Sequence, residues 1–157
     1  MSEQIKVTRD VAASPDQVFA VLADPARHAE IDGAGMCRSV AEGGPVGAVG
    51  ETFTLNMNNP VLDDYQVQST VTAFEPGRRI GWAPSGLAGD NLDRLGDMKP
   101  GGQSFTWDLT PNGSGGTTVT QTYDWSGVAC PQFKSLMPLL KEDQLAETIE
   151  RVGKAAG

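Results

Sequence analysis

Val11-Ala12-Ala13-Ser14-Pro15-Asp16-Gln17-Val18-Phe19 is the stretch on which the reading of this chain turns, because the backbone period changes inside it. Upstream, Ile5, Val7 and Val11 alternate with Lys6, Thr8 and Asp10, the pattern of a half-buried strand. From Ser14 onward the signals are helical. Ser14 can cap, Pro15 suits the first helical position, and Gln17 stands at capping-box spacing. Val18, Phe19 and Leu22 then share one face. Asp24-Pro25 repeats the cap-plus-proline signal and predicts a second short helix over about Pro25–Glu30.

Beyond this start the period returns to two. Met36–Ala41 is a candidate strand, followed by a loop from Gly43 to Gly47. Phe53, Leu55 and Met57 alternate with polar residues, as do Tyr65, Val67 and Val71 up to the turn Glu75-Pro76-Gly77. Arg79–Ala83 reads as a short strand carrying Ile80 and Trp82. Phe105, Trp107 and Leu109 form one arm of a hairpin through Pro111–Gly116, and Val119, Gln121, Tyr123 and Trp125 form the other. Pro138, at the first turn, opens a predicted amphipathic helix with Leu139, Leu140, Leu145, Ile149 and Val152 on its apolar face. The expectation is an α+β chain forming a single domain over residues 1–157.

Composition narrows the chemistry. The 157 residues carry a net charge of −8 and 39% apolar residues. An acidic chain lacks the basic face that nucleic acid requires, so no nucleic-acid partner is expected. A zinc centre would have only His28, Cys37 and Cys130 to draw on, and their scatter argues against one. Asp90, Asp93 and Asp97 miss the alternating spacing of a calcium loop. Gly44, Gly47 and Gly50 lack a following Lys-Ser/Thr, and Gly33-Ala34-Gly35 does not extend to a dinucleotide fingerprint. Neither a metal nor a cofactor is expected. No basic segment followed by an apolar stretch opens the chain, and no apolar run could span a bilayer. The expected location is cytoplasmic, without stable membrane insertion and with reduced cysteines.

The element order and its motifs resemble the helix-grip fold of the START-like (SRPBCC) superfamily, in its polyketide cyclase/dehydrase and lipid-transport-like branch. The resemblance rests on the Val11–Phe19 stretch, Leu22-Ala23-Asp24-Pro25-Ala26-Arg27-His28, and Phe74-Glu75-Pro76-Gly77-Arg78-Arg79-Ile80-Gly81-Trp82. It continues through Phe105-Thr106-Trp107-Asp108-Leu109-Thr110 and from Gly116-Thr117-Thr118-Val119-Thr120 to Tyr123-Asp124-Trp125-Ser126-Gly127. It implies a curved antiparallel sheet of about six to seven strands wrapped around a long C-terminal helix, with a cavity between them. It implies little about reaction, since the superfamily shares a cavity more than a chemistry.

Phe53, Leu55, Met57, Tyr65, Val67, Trp82, Phe105, Trp107, Tyr123 and Trp125 are the large strand residues that could face such a cavity. They would either line a pocket or fill it as core. Arg9, in phase with Val7 and Val11, could hold an anionic group or pair at an edge. His28 could act as an acid or base near a cavity mouth, or be a solvated helix residue. Tyr65, Tyr123 and Gln121 could offer hydrogen bonds to a ligand oxygen, and Asp32 could cap a turn. The segment Pro84–Gly102 is far longer than a hairpin connection, and is a lid bearing Leu87, Leu92, Leu95 and Met98, a decoration or a homodimer contact. The leading expectation is binding of a small hydrophobic, aromatic or polyketide-type molecule. The alternatives are a cyclase, aromatase or dehydratase using Arg9, His28, Tyr65 or Tyr123, and an interaction protein with a collapsed cavity.

Overall fold

A computed structural model describes residues 3–157. Strand β1 (Gln4–Val11) leads into helix α1 (Pro15–Leu22), a 3-10 turn (Pro25–Arg27) and the short helix α2 (His28–Ile31). Six strands follow: β2 (Cys37–Glu42), β3 (Thr52–Asn59), β4 (Asp63–Glu75), β5 (Arg79–Ala88), β6 (Ser104–Pro111) and β7 (Thr117–Asp124). The short helix α3 (Pro131–Lys134) and the long helix α4 (Glu142–Ala156) close the chain. The seven strands form one antiparallel sheet in the order β1-β7-β6-β5-β4-β3-β2. Register shifts interrupt the β2–β3 and β4–β5 ladders. Such bulges bend a strand and increase its twist, which is how this sheet comes to curve around α4.

The opening stretch folds as its residues dictate. Ser14 Oγ accepts the Gln17 amide, while Gln17 Oε1 accepts the Ser14 amide, and Pro15 occupies the first turn. Val18, Phe19 and Leu22 are buried. Helix α4 buries Leu145, Ile149 and Val152. It lies so close to β1 that a Cβ on Gly153 would come within 2.9 Å of Val11 Cβ. One part of the interior is therefore solidly packed: Val7, Val18, Leu22, Val119, Ile149 and Val152 each expose 2% or less.

Three elements depart from expectation. Strand β5 runs to Ala88, well past Ala83, because its pairing with β4 continues through Val67↔Leu87 to Gln66↔Ala88. Its pairing with β6 stops at Trp82↔Phe105. Proline at position 84 has no N–H to offer, so it is a stop for one ladder and not for the other. Helix α4 begins at Glu142 and not at Pro138. Its start is marked by Gln144 Oε1 accepting the Lys141 amide and by Glu142 and Asp143, whose charges suit a helix N-terminus. Helix α3, with Pro131 in its first turn, was not expected. Among the described residues no helix is long and apolar enough to cross a membrane.

Candidate functional site

Because β5 and β6 pair over four positions only, the sheet splays beyond Trp82. A cavity of about 710 Å³ occupies the interior at this end, within the usual range of roughly 300–1,000 Å³ for small-molecule sites. Its walls come from α2, from β3 through β7, from the segment between β5 and β6, and from residues 133–148. Leu55, Met57, Tyr65, Val67, Trp82, Leu87 and Phe105 lie on it and are only partly buried. Large apolar side chains on the inward phase of a sheet normally lose nearly all their exposure. Here they keep some because they face a space and not one another.

Of the ten strand residues expected to face a cavity, Leu55, Met57, Tyr65, Val67, Trp82, Phe105 and Trp107 line it. Phe53, Tyr123 and Trp125 do not. Phe53 is buried edge-on against His28 and Trp82, at centroid separations of 5.4 and 6.0 Å. Tyr123 is fully buried between Phe105, at 5.0 Å, and Trp125, at 5.5 Å. Its hydroxyl donates to Gln103 Oε1 and receives the Leu139 amide at 3.4 Å. Burial pushes this phenol up to about 12, opposed by the Leu139 hydrogen bond. Tyr123 thus fastens the segment after β5 and the segment before α4 to the sheet.

Arg9 is a correction. Although in phase with Val7, it is exposed on the edge strand, and its Nη1 donates to the Thr8 carbonyl at 2.7 Å. His28 is another, because the solvated helix residue expected near the mouth is 5% exposed and stacked on Trp82 at 4.9 Å. Its Nε2 lies 2.9 Å from the Leu22 carbonyl oxygen. A carbonyl can only accept, so Nε2 carries the proton and Nδ1 is an acceptor. Burial holds the imidazole below its ordinary value, against the Leu22 hydrogen bond and the charges of Asp24 and Asp32.

Two lining residues, Asp32 and Lys99, carry charge. Asp32 caps the turn after α2: its carboxylate accepts the amides of Ala34, Met36 and Cys37 at 2.8–2.9 Å. The turn abuts α4 at Gly33, whose amide donates to Thr148 Oγ1 and where a Cβ would overlap the Gln144 carbonyl. Cys37, buried beside Asp32, has its thiol pushed up to about 12 by burial and then by that charge. Burial also pushes the Tyr65 phenol up, opposed by a hydrogen bond from Asn59. Both cysteines are free. No His/Cys/Asp/Glu group capable of holding a metal occurs among the described residues.

The segment between β5 and β6 carries Leu92 and Leu95 on a 3-10 turn, and these line the cavity together with Leu87 and Met98. It is tied to the β3–β4 turn by Asn91 to the Leu62 carbonyl, Arg94 to the Val61 carbonyl, and Arg94 to Asp63, each at 3.1 Å. The lining missed by the sequence reading includes Val61, Leu62, Phe133, Leu136 and Thr148. Val61, Leu136 and Leu139 are 55%, 51% and 44% exposed around the opening. The helical reading from Pro138 takes Leu139 and Leu140 into one apolar face, which hides their position on the cavity.

The family described as polyketide cyclase / dehydrase and lipid transport matches residues 2–156. The chain belongs to that family. The uncharacterized protein Rv0088 of Mycobacterium tuberculosis is 30% identical over 116 residues, covering 74% of this chain. The match covers 45% of that relative, so the chain spans about half the length of the curated relatives it matches. Among solved structures, protein Ms6760 of Mycobacterium smegmatis superposes with a TM-score of 0.69 at 16% identity, covering 98% of this chain and 90% of the other. The ZhuI aromatase/cyclase of Streptomyces sp. R1128 gives 0.67 at 17% identity over 98% and 92%. Norcoclaurine synthase of Thalictrum flavum gives 0.66 at 18% identity, with the same coverage. These likenesses establish the helix-grip fold for this polyketide cyclase/dehydrase family member.

Proposed function

We propose that this family member binds a small, largely apolar, ring-containing molecule in the cavity between the splayed strands, α2 and α4. The observation that carries the reading is the set of partly exposed apolar side chains, Leu55, Met57, Val67, Trp82, Leu87 and Phe105, around an interior space of about 710 Å³. Binding would remove that surface from water at roughly 25 cal/mol per Å², and the flat faces of Trp82 and Phe105 suit a planar ligand. N-phenyl-1-naphthylamine, whose emission rises in apolar sites, should bind the purified protein saturably. Val67→Trp places an indole between Leu55 and Leu87 and should weaken that binding about tenfold or more. A probe that ignores the wild-type protein, or binds the Trp variant equally well, sinks the reading.

His28 supports a second reading, a cyclase-type enzyme. A neutral imidazole with an unprotonated Nδ1, lining the same cavity as the protonated Tyr65 phenol, would supply a base and an acid for moving a proton on a polyketide-type substrate. Arg9 and Tyr123 have no part in it, since neither lies on the cavity.

A further inference from the structure

Two residues that line the cavity each hold a buried polar atom with no protein partner. Trp107 Nε1 and Gln121 Oε1 are both shielded from solvent and hydrogen-bond to nothing else in the protein. The residues are 1% and 3% exposed, and both line the cavity. They face each other across β6 and β7 in direct register, Trp107↔Gln121. Directly opposed residues hold their Cβ atoms about 4.5–5.5 Å apart, near enough for one small group to meet both side chains.

An indole N–H can only donate, and an amide oxygen can only accept. Leaving either without a partner in an apolar interior is costly, so the pair selects what complements it. A hydrocarbon satisfies neither atom. A ketone accepts from Trp107 and leaves Gln121 unmet. A carboxylate sets a negative charge against the amide oxygen. A neutral hydroxyl accepts from the indole and donates to the amide.

Trp82 lies beside Trp107, at a centroid separation of 6.4 Å and an interplanar angle of 32°, so the donor stands next to a flat aromatic wall. We propose that Trp107 and Gln121 form a subsite for the neutral hydroxyl of a ring ligand, a phenol or a cyclic enol, whose ring lies against Trp82. The inference rests on the reading of the cavity as a binding site and adds which polar group the ligand presents and where.

The test uses three naphthalenes of similar size and the full chain. Wild-type protein should bind 2-naphthol at least about tenfold more tightly than 2-methylnaphthalene, and more tightly than 2-acetonaphthone. In Gln121→Met and in Trp107→Phe that preference should fall toward one. The Trp107 indole proton resonance, assigned in the wild-type protein by through-bond triple-resonance experiments, should move downfield with 2-naphthol and stay put with 2-methylnaphthalene. That measurement stands even if a variant fails to fold. Equal binding of 2-naphthol and 2-methylnaphthalene, as a tightly held bridging water would give, overturns the subsite and leaves the cavity reading intact. A preference for 2-acetonaphthone also overturns it, since the amide would then present its NH2. If none of the three binds, both the cavity reading and this inference fall.

Discussion

The imidazole of His28 is buried against Trp82 and Phe53, and that burial favours its neutral form against the pull of its Leu22 hydrogen bond. An ordinary histidine takes up a proton near pH 6.5, whereas burial holds His28 lower. In the window between those values the unfolded chain binds a proton that the fold refuses. Stability from this residue is therefore level above about pH 6.5 and falls as the pH drops below it. Urea midpoints measured from pH 7.5 to 5.5 should decline in the wild type, with the His28 contribution no steeper than about 1.4 kcal/mol per pH unit. His28→Gln should decline less over the same range. Parallel curves would mean that the imidazole is not held neutral by the fold. None of this was legible in the sequence, where His28 read as an acid or base near a cavity mouth or as a solvated helix residue; burial of His28 is set by Phe53 and Trp82, far along the chain. Arg9 shows the converse: its phase was right, but phase cannot tell a central strand from an edge.

At the scale of elements, the segment joining β5 to β6 lines the cavity between two anchors. Asn91 and Arg94 hold one end to the β3–β4 turn. At the other end Gly102, at φ +95°, packs so closely on Gly127 that a Cβ would overlap its carbonyl, and Gln103 meets Tyr123. Between the anchors, Leu95 and Met98 face the cavity. Arg94 and Asp63 are partly exposed, at 47% and 62% of their side chains, so their ion pair adds little to global stability. Replacing Asn91 and Arg94 together by Ala should lower the unfolding free energy by no more than about 1 kcal/mol. It should speed hydrogen exchange of the amides at 94, 96 and 98 and quicken release of N-phenyl-1-naphthylamine severalfold. Unchanged release alongside faster exchange would make the segment a decoration. The sequence marked this segment by its length and its spaced leucines. It could not supply the anchors, because Asn91 and Arg94 bind main-chain carbonyls that only the folded turn presents.

For the whole molecule, the decisive feature is that the same alternation of apolar residues serves two purposes in one sheet. The period-two pattern identified inward-facing residues on β3, β4, β6 and β7, but it could not say which inward residues meet α4 and which meet a space. That division follows from where pairing fails. β6 and β7 stay paired along their length beneath α1 and α4, whereas β5 leaves β6 at Trp82 and carries Leu87 outward with β4. Energetically, the packed part should behave as close-packed core and the splayed part as a surface that happens to be inside. Ile149, with no exposure and neighbours on every side, should cost about 2–5 kcal/mol when cut to Ala, while the affinity for N-phenyl-1-naphthylamine stays near that of the wild type. Leu87, partly exposed on the cavity wall, should cost about 1 kcal/mol or less on the same change, because little packing is lost around it. It should instead weaken the probe severalfold, since the missing methyl groups are ones a ligand would cover. Urea unfolding and probe titration on the two variants therefore give opposite orderings. If Leu87→Ala proves as destabilising as Ile149→Ala, and binding is indifferent to both, the interior is one continuous core and the cavity has no place in the protein's work.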